Sequence, residues 1–123
     1  MELVKFKLDD LKLIFDELVS PSFENQEQQD RYAFRDTRGD GIKLHFYVLS
    51  TENTVAIEVY CAAEVCAASV SISTCREIQV ANFAIGHRVI EVLWGDDESE
   101  LRKFVLDLDG TKILGLDIGG CSW

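Results

Sequence analysis

The sequence has no long hydrophobic run and no leader-like start, which argues against a membrane-spanning or exported protein. Its longest apolar stretch, Val59 to Val70, is interrupted by Glu64 and is shorter than the ~20 apolar residues of a transmembrane helix. The first residues, Met1 to Lys7, lack the basic start and apolar core of a signal peptide. We therefore expect the mature chain to begin at Met1 and to act in the cytoplasm, with no membrane contact.

The metal-binding and redox motifs built on cysteine and histidine are also missing. No two cysteines have the two-residue gap of a zinc knuckle or redox pair, and neither His45 nor His87 lies near them in the sequence. In a reducing cytoplasm we expect free thiols, several of them filling the core, and neither metal nor cofactor. An exported form could carry a disulfide instead. The four cysteines are Cys61, Cys66, Cys75 and Cys121.

Catalytic signatures are equally scarce. The serines between Ser69 and Ser73 lack the glycine pattern of a nucleophile elbow, and no glycine pair forms a phosphate-binding loop. The segment Asp36–Gly41 is only partly similar to a calcium loop, because Arg38 takes the third ligand position and Tyr47 the twelfth. The two histidines could act as an acid–base pair only if the fold joined them. We therefore predict no catalytic residue and no enzyme activity.

Basic residues are few. The chain has 12 Lys and Arg against 22 Asp and Glu, so its net charge is −10 and its pI is near 4.5. This balance disfavours direct binding to nucleic acid or to an anionic membrane, both of which need a cationic surface. It favours a basic protein partner. With 47% apolar residues and one proline, the composition is that of a globular chain rather than a disordered one.

Hydrophobic periodicity predicts the fold class. Apolar residues at helical spacing from Leu8 to Leu18 predict one helix, capped by Asp9 or Asp10 and stopped at Ser20-Pro21. From Arg31 onward the period changes to two, which is typical of strands. The expected class is α+β: one N-terminal helix packed on a mainly antiparallel β-sheet or sandwich of six to eight strands, in a single domain spanning residues 1–123. The expected strands before the last hairpin cover residues 2–7, 32–35, 42–48, 55–61, 65–74 with a continuation at 76–81, and 89–94.

The end of the chain predicts a hairpin. Two apolar rows, at 104, 106 and 108 and at 114, 116 and 118, flank Asp109-Gly110. Only an odd-length loop keeps both rows on one face, so we expect a three-residue loop with Gly110 in the left-handed region. Burying the six side chains would contribute roughly 10 kcal/mol on transfer scales, which favours this register.

Acidic residues are concentrated near Trp94. Four carboxylates lie within six residues directly after this tryptophan, and further acids lie on the hairpin that follows. One interpretation is a solvated loop with protective charges. The other is an acidic surface with an aromatic anchor, which would steer and bind a basic partner. On the second interpretation the predicted partner-binding residues are Trp94, Asp96, Asp97, Glu98, Glu100, Asp107 and Asp109.

In size, acidity and β-rich architecture, the chain resembles bacterial immunity proteins of toxin–immunity systems, of the contact-dependent growth inhibition type. The similarity is carried by the strand–turn style of residues 70–78 and 104–108. It implies an inhibitor that binds one basic toxin domain, often a nuclease, and covers its active site. Carboxylates would then take the place of nucleic-acid phosphates.

Three other functions stay open. A mimic of nucleic acid, or another protein-binding module, would have carboxylates spaced like phosphates on one face. A small enzyme or ligand-binding β-domain would need a pocket that joins His45 or His87 to carboxylates or cysteines, and we do not expect a small-molecule ligand. A structural subunit of a larger complex would expose a large apolar strand edge.

Overall fold

The computed structural model describes residues 4–15, 17–20, 31–37, 41–61, 66–81, 88–97, 99–109, 112–113 and 116–117, which form one α-helix and ten strands. The helix α1 covers Leu8–Ile14, and a short 3-10 helix covers Ser50–Glu52. The strands are β1 Glu17–Ser20, β2 Arg31–Thr37, β3 Lys43–Leu49, β4 Thr54–Tyr60, β5 Cys66–Ile72, β6 Cys75–Ala81, β7 Val89–Trp94, β8 Arg102–Asp107, β9 Lys112–Ile113 and β10 Leu116–Asp117.

The strands form antiparallel sheets in chain order. Strands β1 to β5 make a five-stranded sheet, β6 to β8 a three-stranded sheet, and β9 pairs with β10. Buried side chains of α1 and of the two larger sheets belong to one hydrophobic cluster. The predicted α+β class, rich in antiparallel sheet, is confirmed.

The two central strands of the five-stranded sheet show why the sequence folds this way. Along β3 and β4 buried residues alternate strictly with partly exposed ones, as the period of two requires. Phe46 is fully buried, and the ring of Phe15, directly after α1, stacks on Phe46 at 5.4 Å and on Phe34 at 5.3 Å. These aromatic contacts hold the end of the helix against the sheet.

The N-terminal elements differ from the prediction. The helix ends at Ile14 because Phe15 is extended, and Leu18 pairs with Phe34 as part of β1. Pairing with β2 thus overrides the helical spacing that had suggested a helix as far as Leu18. Instead of a strand at 2–7, the described part of this segment has one bridge, in which Lys5 pairs parallel with Glu77 at the edge of β6.

The predicted pairing of the terminal hairpin is wrong. Leu106 and Leu108 are buried as predicted, but β8 pairs with β7, and β9 pairs with β10. Among the described residues the apolar row of β8 lies beside the buried row of β7. Gly110, Leu114 and Ile118 lie outside the described residues.

A tight corner moves the chain from one sheet to the other. Residues 76–81 do not extend β5, because Thr74 has a positive φ of 53° and β6 starts a different sheet. Asn53, with φ 48° and nearly complete burial, stabilises this corner. Its carbonyl accepts a hydrogen bond from the amide of Cys75 (2.8 Å), and its Oδ1 accepts one from the amide of Val4 (3.1 Å).

The cysteines give a testable consequence of this packing. Cys61 and Cys75 are buried free thiols, whereas Cys66 is exposed. Burial also raises the pKa of Cys75 to about 11, so little of it is the reactive thiolate. We expect a maleimide to modify Cys66 rapidly in the native protein and to reach Cys61 and Cys75 only in urea, as read by peptide mass spectrometry. Rapid native labelling of Cys75 would contradict the described core.

Candidate functional site

The acidic turn, defined here as residues 95–101, joins β7 to β8. Backbone atoms at its start form hydrogen bonds with Thr74 and Arg76. The amide of Gly95 donates to the carbonyl of Thr74 at 3.0 Å. The guanidinium of Arg76 donates to the carbonyl of Gly95 at 3.0 Å and to that of Asp96 at 2.8 Å. Gly95 has φ 144°, and a Cβ there would come within 3.4 Å of the Glu100 carbonyl, so this position favours glycine.

Asp97 accepts hydrogen bonds from other residues of the acidic turn. Its Oδ1 accepts hydrogen bonds from the amide of Ser99 (2.9 Å) and from its hydroxyl (2.8 Å), and its carbonyl accepts one from the amide of Glu100 (3.0 Å). The two bonds from Ser99 lower the pKa of Asp97, because they stabilise the carboxylate. Asp97 therefore stays negatively charged at neutral pH.

The predicted partner-binding residues of the turn are placed at the surface. Asp96, Asp97 and Glu100 are exposed, and Glu98 lies outside the described residues. Trp94 is half-buried against the core, and the guanidinium carbon of Arg102 lies 5.3 Å from the centre of its ring. Trp94 thus supports the base of the turn and shows only part of its ring to a partner.

Asp107 and Asp109 lie elsewhere. Asp107 pairs with Val89, five residues along β7 from Trp94, which is about 17 Å at the rise of a strand. Its Oδ1 accepts a hydrogen bond from the amide of Asp109 at 3.1 Å. Six of the seven predicted residues therefore fall into two groups, at opposite ends of the β7–β8 pair.

Asp109 belongs to an ion-pair network centred on Arg88. Its carboxylate accepts hydrogen bonds from the Arg88 guanidinium (2.8 Å for the shortest) and from the Arg88 amide at 2.7 Å. The same guanidinium donates to Asp36, which is only 2% exposed, at 2.9 Å, and to the carbonyl of Ile14 at 2.8 Å. Asp109 and Asp36 raise the pKa of Arg88, so it stays charged. No sequence pattern linked these residues, and Asp36 lay just beyond the strand predicted at 32–35.

A second polar cluster lies on the outward face of the five-stranded sheet. Arg35, His45 and Glu58 stand side by side on β2, β3 and β4. The Nδ1 of His45 lies 3.0 Å from the hydroxyl of Tyr47, and its ring centre lies 4.8 Å from that of Tyr60. A depression of about 280 Å³ opens here. Its walls are formed by Arg35, Lys43, His45 and Tyr60.

The electrostatics of this cluster keep its histidine neutral and its tyrosines protonated. Burial, with the nearby charge of Arg35, lowers the pKa of His45 below its ordinary value, so it is mostly neutral at pH 7. Burial and the Glu58 carboxylate raise the pKa of Tyr47 to about 12 and also raise that of Tyr60. Both phenols therefore keep their protons. The alternation of β3 and β4 in the sequence indicated which residues face outward, but not that these would meet.

Comparisons with known proteins add no assignment, because no protein family, curated protein or solved structure matches this chain. Within the described residues no cluster of three or more His, Cys, Asp or Glu side chains is arranged to hold a metal ion. The one α-helix in that part of the chain is too short to cross a membrane. Function must therefore be inferred from the acidic turn and the His45 cluster themselves.

Proposed function

We propose that this chain is an acidic inhibitor of the immunity type, which binds a basic protein domain through the acidic turn. The observation that carries the proposal is the combination of exposed carboxylates with a hydrogen-bonded backbone. Asp96, Asp97 and Glu100 are exposed, and the described residues of the turn are hydrogen-bonded to Arg76 and Ser99. Pre-ordering of this kind lowers the entropy lost on binding, and the charge speeds encounter with a basic partner.

The chemistry of the turn favours a particular kind of partner. A nuclease presents a cationic cleft shaped for phosphates, and exposed carboxylates on a turn can occupy that cleft as phosphates do. The net charge of −10 adds a long-range field of the right sign. We place the complex in the cytoplasm, where a toxin domain would act. The carboxylate of Asp109 is bound to Arg88, so we assign the direct contact to the acidic turn.

The test uses the toxin domain that the immunity hypothesis itself predicts, namely the C-terminal domain of a large secreted protein encoded next to this chain. Co-expression should restore growth to cells that produce this domain. We expect the variant Asp96→Lys, Asp97→Lys, Glu100→Lys to associate with it at least tenfold more slowly at low salt, and the difference should shrink as salt is raised. Stopped-flow fluorescence measures the association rate.

A matched variant controls for net charge. Asp9→Lys, Asp10→Lys, Glu52→Lys changes the charge equally at three exposed positions outside the turn. It should slow association much less. An equal loss in both variants would show that only the overall field matters and would remove the turn as the contact. Failure of the wild-type chain to protect against, or bind, the neighbouring domain would count against the immunity function.

A mimic of nucleic acid remains the second candidate, supported by the same carboxylates. It differs in its partner, which would be a DNA- or RNA-binding protein without toxicity. In that case an oligonucleotide should compete with this chain for the captured protein, and co-expression should have no effect on the growth of cells carrying the neighbouring toxin domain.

A further inference from the structure

We infer that the outer edge of β5 is the surface at which two copies of this chain pair to form a dimer. β5 is the last strand of the five-stranded sheet, and among the described residues it has only β4 as a neighbour in that sheet. The pairing joins two five-stranded sheets edge to edge around a two-fold axis. This edge lies on a different sheet from the acidic turn, so the inference is independent of the inhibitor function proposed above.

The backbone of β5 is open along this edge. In an antiparallel ladder every second residue directs its N–H and C=O away from the neighbouring strand. From Ala67 to Ser71, no described residue outside β4 and β5 forms a hydrogen bond with this backbone. An added strand would give the outward-directed groups partners, so the edge is a template for pairing with another chain.

β5 also differs from the other edge strands in its lack of charge. Its seven residues, Cys66 to Ile72, include no Asp, Glu, Lys or Arg, although 28% of the whole chain is charged. Charged residues on an edge strand normally oppose pairing with another chain. Every other edge strand in the described part of the chain has at least one: Glu17 in β1, Arg76 and Glu77 in β6, Arg102, Lys103 and Asp107 in β8, Lys112 in β9 and Asp117 in β10.

The neutral edge favours a second copy as the occupant. Two chains that each carry a net charge of −10 repel one another, and the repulsion is least where neutral surfaces approach. Glu58, which lies beside Ser69 on β4, would be three strand spacings from its counterpart across the axis. That is about 14 Å, which exceeds the screening length at physiological salt. A basic partner, in contrast, is drawn to the acidic surfaces of the chain rather than to this edge.

Side-chain size makes the edge complementary to itself. A two-fold axis at Ser69, the middle residue of β5, places Ala68 of each copy opposite Val70 of the other, on the core side of the sheet. Ala68 and Val70 are partly exposed, although the residues beside them on β4, Val59 and Ile57, are fully buried. Each copy therefore covers apolar surface that the other leaves open, and a larger side chain meets a smaller one.

The outward face of β5 is flat. Ala67, Ser69 and Ser71 are small and exposed, so no bulky side chain obstructs a second strand. One pair of strands is a small interface beside the roughly 1,200–2,000 Å² of stable complexes. The dimer is therefore weak and forms at micromolar or higher concentrations of the chain.

The first test is analytical ultracentrifugation of the full-length chain in reducing buffer, over a wide range of concentrations. We expect a reversible equilibrium between monomer and dimer. Hydrogen exchange of the β5 amides should slow as the dimer fraction rises, because every second amide of this strand gains an acceptor.

A matched pair of variants separates the edge from a general charge effect. Ser69→Lys should raise the dissociation constant of the dimer about tenfold, because it places two like charges opposite each other at the axis. Gln79→Lys makes the same charge change at an exposed position of β6 and should not weaken the dimer. Both variants reduce the net negative charge, so a general charge effect would strengthen the dimer in both. Circular dichroism confirms folding of each variant.

Disulfide cross-linking tests the register. In a chain with Cys66→Ser and Cys121→Ser, the further change Ser69→Cys places two thiols at the axis, with Cα atoms about 4.5–5.5 Å apart and within disulfide reach. Ser71→Cys on the same face would lie about 14 Å from its counterpart, beyond that reach. We therefore expect a cross-linked dimer on a non-reducing gel for Ser69→Cys and much less for Ser71→Cys.

Several results would overturn the inference. A chain that stays monomeric up to millimolar concentration would exclude a second copy and leave the edge to a strand of another protein. A dimer whose β5 amides exchange at the same rate as in the monomer would have its interface elsewhere, as would one that Ser69→Lys and Gln79→Lys affect equally. Equal cross-linking of Ser69→Cys and Ser71→Cys would exclude the two-fold axis at Ser69.

Discussion

Replacing Arg88 with methionine is expected to lower the free energy of unfolding by about 3–5 kcal/mol. Methionine keeps much of the volume of arginine but leaves Asp36, which is 2% exposed, without its cationic partner. It also removes the bonds to Asp109 and to the carbonyl of Ile14. A buried carboxylate without compensation is among the most destabilising groups in a folded protein. Urea unfolding followed by circular dichroism measures the loss.

The pH dependence identifies Asp36 as the cause. In the methionine variant the carboxylate of Asp36 would stay buried without a cation beside it, so its charged form opposes folding. The loss of stability relative to wild type should therefore be smaller as pH falls towards 4 and larger as pH rises. A loss that is the same at pH 4 and pH 8 would point to packing instead.

An exposed ion pair supplies the control. Lys103 lies 2.7 Å from Glu91 but is half-exposed, so Lys103→Met should cost less than about 1 kcal/mol. Combining Arg88→Met with Asp36→Asn should recover part of the stability, because no buried charge then remains. If the double variant were less stable than Arg88→Met alone, the unpaired charge of Asp36 could not be the main cost.

The Arg88 network could not be predicted from the sequence. The alternation of residues 42–48 and 55–61 was enough to predict β3, β4 and their buried rows, because side-chain period follows directly from strand geometry. Nothing local connects Arg88 to Asp36, 52 residues earlier in the chain. Such a contact follows from how α1 and the sheets pack together, and a pattern within one segment carries no information about that.

The acidic turn and the His45 cluster could likewise be predicted only in part. The acids of the acidic turn are contiguous in sequence, so their clustering could be predicted, while their support by Arg76 depends on the pairing of β6 with β7. The His45 cluster needs the register of three strands. That register is set by turns such as the 3-10 helix at Ser50–Glu52, which lies in the gap between the strands predicted at 42–48 and 55–61.

Asn53, which follows the 3-10 helix, is the second position where a substitution should strongly lower the free energy of unfolding. Asn53→Ala should lower the free energy of unfolding by about 2–5 kcal/mol. Alanine in the left-handed region costs about 1–2 kcal/mol. Loss of the buried Oδ1 leaves the amide of Val4 without its acceptor, at about 1–3 kcal/mol. The backbone bond from Cys75 to the carbonyl of residue 53 can remain.

Glycine at the same position separates the two costs. Asn53→Gly accepts a φ of 48° without strain but also lacks the side-chain acceptor, so we expect it to fall between alanine and wild type. Hydrogen exchange at the amide of Val4 should speed up in both variants, because both remove its bond to Asn53. Unchanged protection of this amide would mean that Asn53 does not hold the N-terminal segment. Equal stability of the two variants would show that the left-handed backbone of residue 53 costs alanine nothing, and that the corner is held by the Val4 contact alone.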